Sequence, residues 1–107
     1  MSTRREKLEQ MLATDPHDTF LRYALAMELD KEGDHDRSLA LLTELIEGDP
    51  PHVPAYFMAG QQLTRLGQIE KARDVLRVGI EEARRQQDQH AAGEMSEFLV
   101  SLGQFGE

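Results

Sequence analysis

The sequence predicts an all-α fold, an α-solenoid of antiparallel helix pairs, and three observations carry that expectation. Apolar residues recur at helical rather than alternating spacing: Leu21, Leu25, Ala26 and Leu29 form one stripe, and Leu39, Leu42, Leu45 and Ile46 form the next. The pattern returns at a fixed offset of 34 residues, where Asp15-Pro16 recurs as Asp49-Pro50, Leu29 as Leu63 and Gly33 as Gly67. Each copy is also broken once near its middle. Gly33-Asp34 and Gly67-Gln68 supply a residue that accepts the left-handed conformation, followed by a polar restart.

The elements follow in order, with six helices expected at about 3–14, 18–32, 35–48, 53–66, 69–85 and 88–102. The first carries Leu8, Met11 and Leu12, which precede Asp15-Pro16 at the distances at which Leu42, Leu45 and Ile46 precede Asp49-Pro50. It therefore reads as the second helix of a truncated unit. Helices two and three are the stripes on either side of Gly33, closed by Pro50, Pro51 and Pro54. Pro54 suits a first helical turn, where a missing N–H costs nothing.

Helices four and five repeat the pair, with Phe57 aligned to Tyr23, Gly60 to Ala26, Arg65 to Lys31, Leu76 to Leu42 and Ile80 to Ile46. Gly60 marks a close approach of two helices, and Gly79, in mid-helix, marks a crossing by the next one. The sixth helix carries Ala91, Ala92, Met95, Phe98, Leu99 and Leu102, with Asp88 as its expected cap. Its junction with the fifth is the least defined, because Arg84-Arg85-Gln86-Gln87 contains no breaker. Residues 103–107 are expected to form a mobile tail.

The chain of 107 residues supports one compact domain. That domain divides into a half-unit at 1–18, repeats at 19–52 and 53–86, a capping helix at 87–102 and the tail. With 39% apolar and 30% charged residues the composition is that of a soluble globular chain. The absence of cysteine removes disulfides, thiolate metal sites and cysteine nucleophiles. A net charge of −8 is a poor basis for gripping a phosphate backbone, so no nucleic-acid partner is expected. No stretch has the ~20 apolar residues of a membrane span, and the amino terminus lacks a signal-peptide pattern. Cytoplasmic residence is the expectation.

Charge is segregated: +1 over residues 1–14, −7 over 15–50, +2 over 51–86 and −4 over 87–107. Such a pattern either orients a partner or is distributed over ordinary solvated faces.

The spacing resembles the tetratricopeptide repeat, whose pattern runs through an aromatic, Leu-small, an aromatic or aliphatic residue, a turn Gly, Ala, a bulky apolar residue and a closing Pro. The second unit reads Tyr56, Ala59-Gly60, Leu63, Gly67, Ala72 and Leu76; the first reads Leu25-Ala26, Leu29, Gly33, Ser38, Leu42 and Pro50. Three positions depart from it. Arg22 takes the aromatic place of the first unit, Ser38 its Ala, and Arg84 the closing Pro of the second. The resemblance implies a right-handed superhelical stack in which neighbouring units bury a shared core.

Chemistry-bearing motifs are sparse. Asp30 to Asp36 holds four carboxylates, yet from Asp30 the fourth position is Gly33 and the twelfth Leu41, which does not match a calcium loop. His17, His35, His52 and His90 are scattered, and neither a zinc-binding His pair, a nucleophile elbow nor a phosphate loop occurs. No enzymatic activity, cofactor or metal is expected.

The resemblance implies a concave groove lined by the first helices of successive units. Carried across, the groove positions are Phe20, Tyr23, Met27, Asp30 and Lys31, then Pro54, Phe57, Gln61, Thr64 and Arg65. The expected protein-binding residues are Phe20, Tyr23, Met27, Lys31, Phe57, Gln61, Thr64 and Arg65. Tyr23 and Phe57 are either anchors for a ligand or a stacked pair within the chain. Lys31 and Arg65 either form a basic lip or compensate helix dipoles. These residues differ from the Lys, Arg and Asn set with which some family members clamp carboxylate tails of heat-shock chaperones, so no such clamp is expected. The function expected is a non-enzymatic interaction module that holds a protein or peptide. The alternative is a homodimer formed through the apolar stripe.

Overall fold

The computed structural model describes residues 3–106, with side chains described over 3–103. Among these residues six helices occur and no strand: α1 (Arg4–Thr14), α2 (Thr19–Lys31), α3 (His35–Ile46), α4 (Val53–Arg65), α5 (Ile69–Arg85) and α6 (Gln89–Gly106). The fold is an all-α helical repeat. It falls into two compact units, 1–52 and 53–107, divided where the second copy of the 34-residue pattern begins.

In the first unit α2 packs against both α1 and α3. Thr3 starts α1 with a reciprocal capping box to Glu6, and Asp18 starts α2 by accepting from the Leu21 N–H at 2.8 Å. Leu8, Leu25 and Leu29 are buried together, with Leu12, Leu21 and Leu41 packed against them. Ser38, in the position expected for Ala, is fully buried because its hydroxyl donates to the Ala26 carbonyl at 2.6 Å.

In the second unit α5 packs against α4 and α6. Leu76, Met95 and Leu102 are almost wholly buried, each stabilising the unit by roughly 2–3 kcal/mol. Both glycines expected at close approaches lie there. A Cβ on Gly60 would stand 2.7 Å from Leu76 Cδ2, and one on Gly79 would stand 2.6 Å from Tyr56 Cβ and 2.8 Å from Met95 Sδ.

Three helix ends share one geometry. At Gly33 and Gly67, with φ of 85° and 81°, the chain turns left-handed. The N–H of the following residue reaches back to Leu29 O at 2.9 Å and to Leu63 O at 2.8 Å, as in a Schellman motif. The junction without a breaker closes in the same way: Gln87 takes φ 64°, and Asp88 N–H reaches Ala83 O at 2.8 Å. Asp88 then caps α6 by accepting from Ala91 N–H at 3.1 Å, as expected.

Most helix ends fall within two residues of expectation, but α6 needs correction. It continues through Gly103 to Gly106, four residues past the expected end at 102. Arg73 of α5 contributes to this terminal stretch, donating to the Leu102 carbonyl at 3.0 Å, a favourable place for a cation near a helix carboxy terminus. Glu107 lies outside the described residues.

Candidate protein-interaction surface

Helical spacing sets Phe57, Gln61 and Thr64 on one face of α4, with Arg65 beside them. In the second unit this face meets α6. The rings of Phe57 and Phe98 lie 5.7 Å apart between centroids, tilted by 60°. A depression of about 380 Å³ is lined by Gln61, Thr64, Arg65 and Phe98. A second, of about 320 Å³, is lined by Phe57, Glu94, Glu97 and Phe98, so that Phe98 lines both.

Two of the α4 side chains bond back to their own helix. Thr64 donates its hydroxyl to Gly60 O at 2.8 Å, and Arg65 Nε lies 3.4 Å from Gln61 O. Four of the expected binding residues are thus brought together around an aromatic pair.

The other four lie on α2 in the first unit. Phe20 is 75% exposed and Met27 39%, which is costly for apolar groups in water. Tyr23 is half-buried, and its ring meets His52 edge-on at 5.1 Å. Burial pushes the Tyr23 hydroxyl up, and burial followed by the charge of Arg22 pushes the His52 imidazole down. Lys31 is exposed, with Nζ 3.7 Å from Glu28, the carboxylate that also takes Arg4 at 2.9 Å. The ring partners are therefore His52 for Tyr23 and Phe98 for Phe57.

Sequence reasoning placed Phe98 in the apolar stripe of a capping helix and assigned no role to Glu94 or Glu97. The signal available was their spacing: Glu94, Glu97 and Phe98 share one face of α6. That α6 turns this face toward α4 depends on a contact between residues 41 positions apart, which local pattern does not encode.

Among the described residues no group of three His, Asp or Glu side chains is placed to hold a metal ion. No helix among them is long and apolar enough to cross a membrane.

Comparison with known proteins bears on the same elements. The model of the tetratricopeptide repeat family matches residues 31–95. A tetratricopeptide repeat domain protein from Salinibacter ruber, solved by NMR, is 38% identical with a TM-score of 0.76, covering 81% of this chain and 88% of that one. A crystal structure of such a domain from the same organism is 37% identical with a TM-score of 0.73, covering 81% and 97%. A solution structure from Bordetella parapertussis is 28% identical with a TM-score of 0.83, covering 97% and 90%. Among curated proteins none matches. With a family model spanning more than half of its residues, and the helix pairs and turn glycines that this family repeats, the chain belongs to the tetratricopeptide repeat family.

Proposed function

We propose that this chain binds a segment of another protein on the exposed faces of its first helices, with Phe20, Tyr23, Met27 and Lys31 of α2 and Phe57, Gln61, Thr64 and Arg65 of α4 as contact residues. Tetratricopeptide repeat domains generally mediate protein interactions and act as non-enzymatic scaffolds. The observation that supports the finer reading is the pair of depressions that share Phe98. Each offers partly exposed aromatic surface beside polar groups, the combination that anchors a side chain and orients it.

Peptides selected from a random display library on the intact chain test this reading. In a titration followed by amide chemical shifts, bound peptides are expected to perturb the Phe57–Arg65 and Glu94–Phe98 stretches. Selected peptides that perturb only α3 or α5 would remove the surface from consideration. Self-association through the apolar stripe is a second reading, favoured by the exposure of Phe20. It requires a dimer in light scattering whose formation competes with the selected peptides.

A further inference from the structure

The two depressions that Phe98 lines differ in their charged residues. Arg65 lines one of them. Glu94 and Glu97 line the other, together with the half-buried rings of Phe57 and Phe98. Glu94 is half-exposed, with His90 Nε2 at 3.3 Å, and Glu97 is exposed. Residues 87–107 contain four acidic residues and neither Lys nor Arg, so within its own segment His90 beside Glu94 is the one basic side chain.

Aromatic faces carry a negative quadrupole, so rings and carboxylates here favour the same kind of ligand group: a cation on an apolar stem. A purely apolar side chain would strip water from two carboxylates without replacing it. An anion would be repelled.

We infer that the depression formed by Phe57, Glu94, Glu97 and Phe98 takes a lysine or arginine side chain of the bound segment, so that the partner is a basic, apolar-flanked stretch of protein. This rests on the proposed binding role of the α4–α6 face and specifies its occupant. The rings pack against the aliphatic stem, and the two carboxylates meet the charge at the rim. Exposed ion pairs and cation–ring contacts are individually modest, so the preference is for basic over neutral segments of equal apolar content.

Three short synthetic peptides, alternating Leu with Arg, Leu with Gln and Leu with Glu, test the assignment on the intact chain near physiological ionic strength. The Leu-Arg peptide is expected to shift the amides of Phe57, Glu94, Glu97 and Phe98 and to bind about tenfold more tightly than the Leu-Gln peptide. Glu94→Gln with Glu97→Gln should erase that preference. Glu44→Gln with Glu81→Gln, which removes two exposed charges elsewhere, should retain it. Equal loss in both double variants would mean diffuse attraction to an acidic chain and would overturn the assignment. Equal binding of the Leu-Gln peptide at the same amides would also overturn it while leaving segment binding intact. If no peptide perturbs this face, both readings fall.

Discussion

Gly60 and Leu76 meet so closely that a Cβ at Gly60 would lie 2.7 Å from one Leu76 methyl and 2.8 Å from its branch carbon. Leu76 is fully buried, so its side chain has little room to yield. Gly60→Leu is expected to destabilise the fold by roughly 1–3 kcal/mol in urea unfolding through overpacking. Thr43→Leu, on an exposed face of α3, should stay within about 0.5 kcal/mol of wild type. Shortening the partner supplies the specific check. Gly60→Ala with Leu76→Ala should cost less than the sum of the two single changes, and strict additivity would dissociate the two residues.

The first unit holds α1 by a different means. Leu8 is the buried residue of that helix, with Leu12 partly buried. Charge pairs also link it to its neighbours: Arg4 to Glu28 at 2.9 Å, Arg5 to Glu32 at 2.8 Å, and Arg37 of α3 to Glu9 at 3.4 Å. Arg5 donates to the carboxylates of Glu32 and Glu9, and these bonds, Glu32 first, push its guanidinium further up, holding it charged. Such pairs are screened by salt, with a Debye length of only about 3 Å at 1 M. Hydrogen exchange of α1 amides should therefore accelerate between low and molar salt while α2 amides remain protected. Arg5→Gln should show faster exchange already at low salt. Salt-independent protection of α1 would assign its docking to Leu8 and Leu12 alone.

The contrast between these two attachments shows what the sequence made legible. Gly33, Gly67 and Gly60 announce their roles by residue type, because few other side chains tolerate left-handed backbone or such close contact. The six helices and the 34-residue phase follow from apolar spacing in the same way. Arg73 does not announce itself. It looks like one more charge on an amphipathic helix, yet it is buried and donates to a carbonyl 29 residues away. The facing of Phe98 toward Phe57 is hidden for the same reason, since each is locally an ordinary apolar helix position and only packing joins them. The extension of α6 runs through Gly103 and Gly106, where residue propensity alone argues for a stop.

His52 provides a pH-dependent test of the first unit. Burial, and then Arg22, lowers its folded value below the ordinary 6.5. A depressed histidine value means that the unfolded chain binds the proton more readily, so stability is full above the ordinary value and falls as pH drops below it. Proton NMR of the imidazole should place the His52 midpoint below 6.5, and Arg22→Gln should raise it. His52→Gln should weaken the loss of stability between neutral and mildly acidic pH. A wild-type midpoint at or above the ordinary value would contradict the burial of this ring against Tyr23.

The three Schellman-type turns differ in how completely they are equipped. Gly33-Asp34 has both a glycine at the left-handed position and a capping carboxylate, which accepts from Arg37 N–H at 3.4 Å. Gly67-Gln68 has the glycine, but Gln68 makes no side-chain cap for α5. Gln87-Asp88 has the cap, but a non-glycine residue stands at φ 64°. Each incomplete turn therefore lacks what the other possesses. Gln68→Asp should add about 0.5–2 kcal/mol by accepting an otherwise unbonded first-turn N–H. Gln87→Gly should relieve left-handed strain of roughly 1 kcal/mol, partly offset by the greater freedom of glycine in the unfolded chain. The two sites lie at opposite ends of α5, so their effects should add in urea unfolding. Destabilisation by Gln87→Gly would show that the Gln side chain holds the α5–α6 junction by contacts that outweigh its backbone strain. Destabilisation by Gln68→Asp would show that the start of α5 resists a capping geometry which Asp34 and Asp88 both adopt.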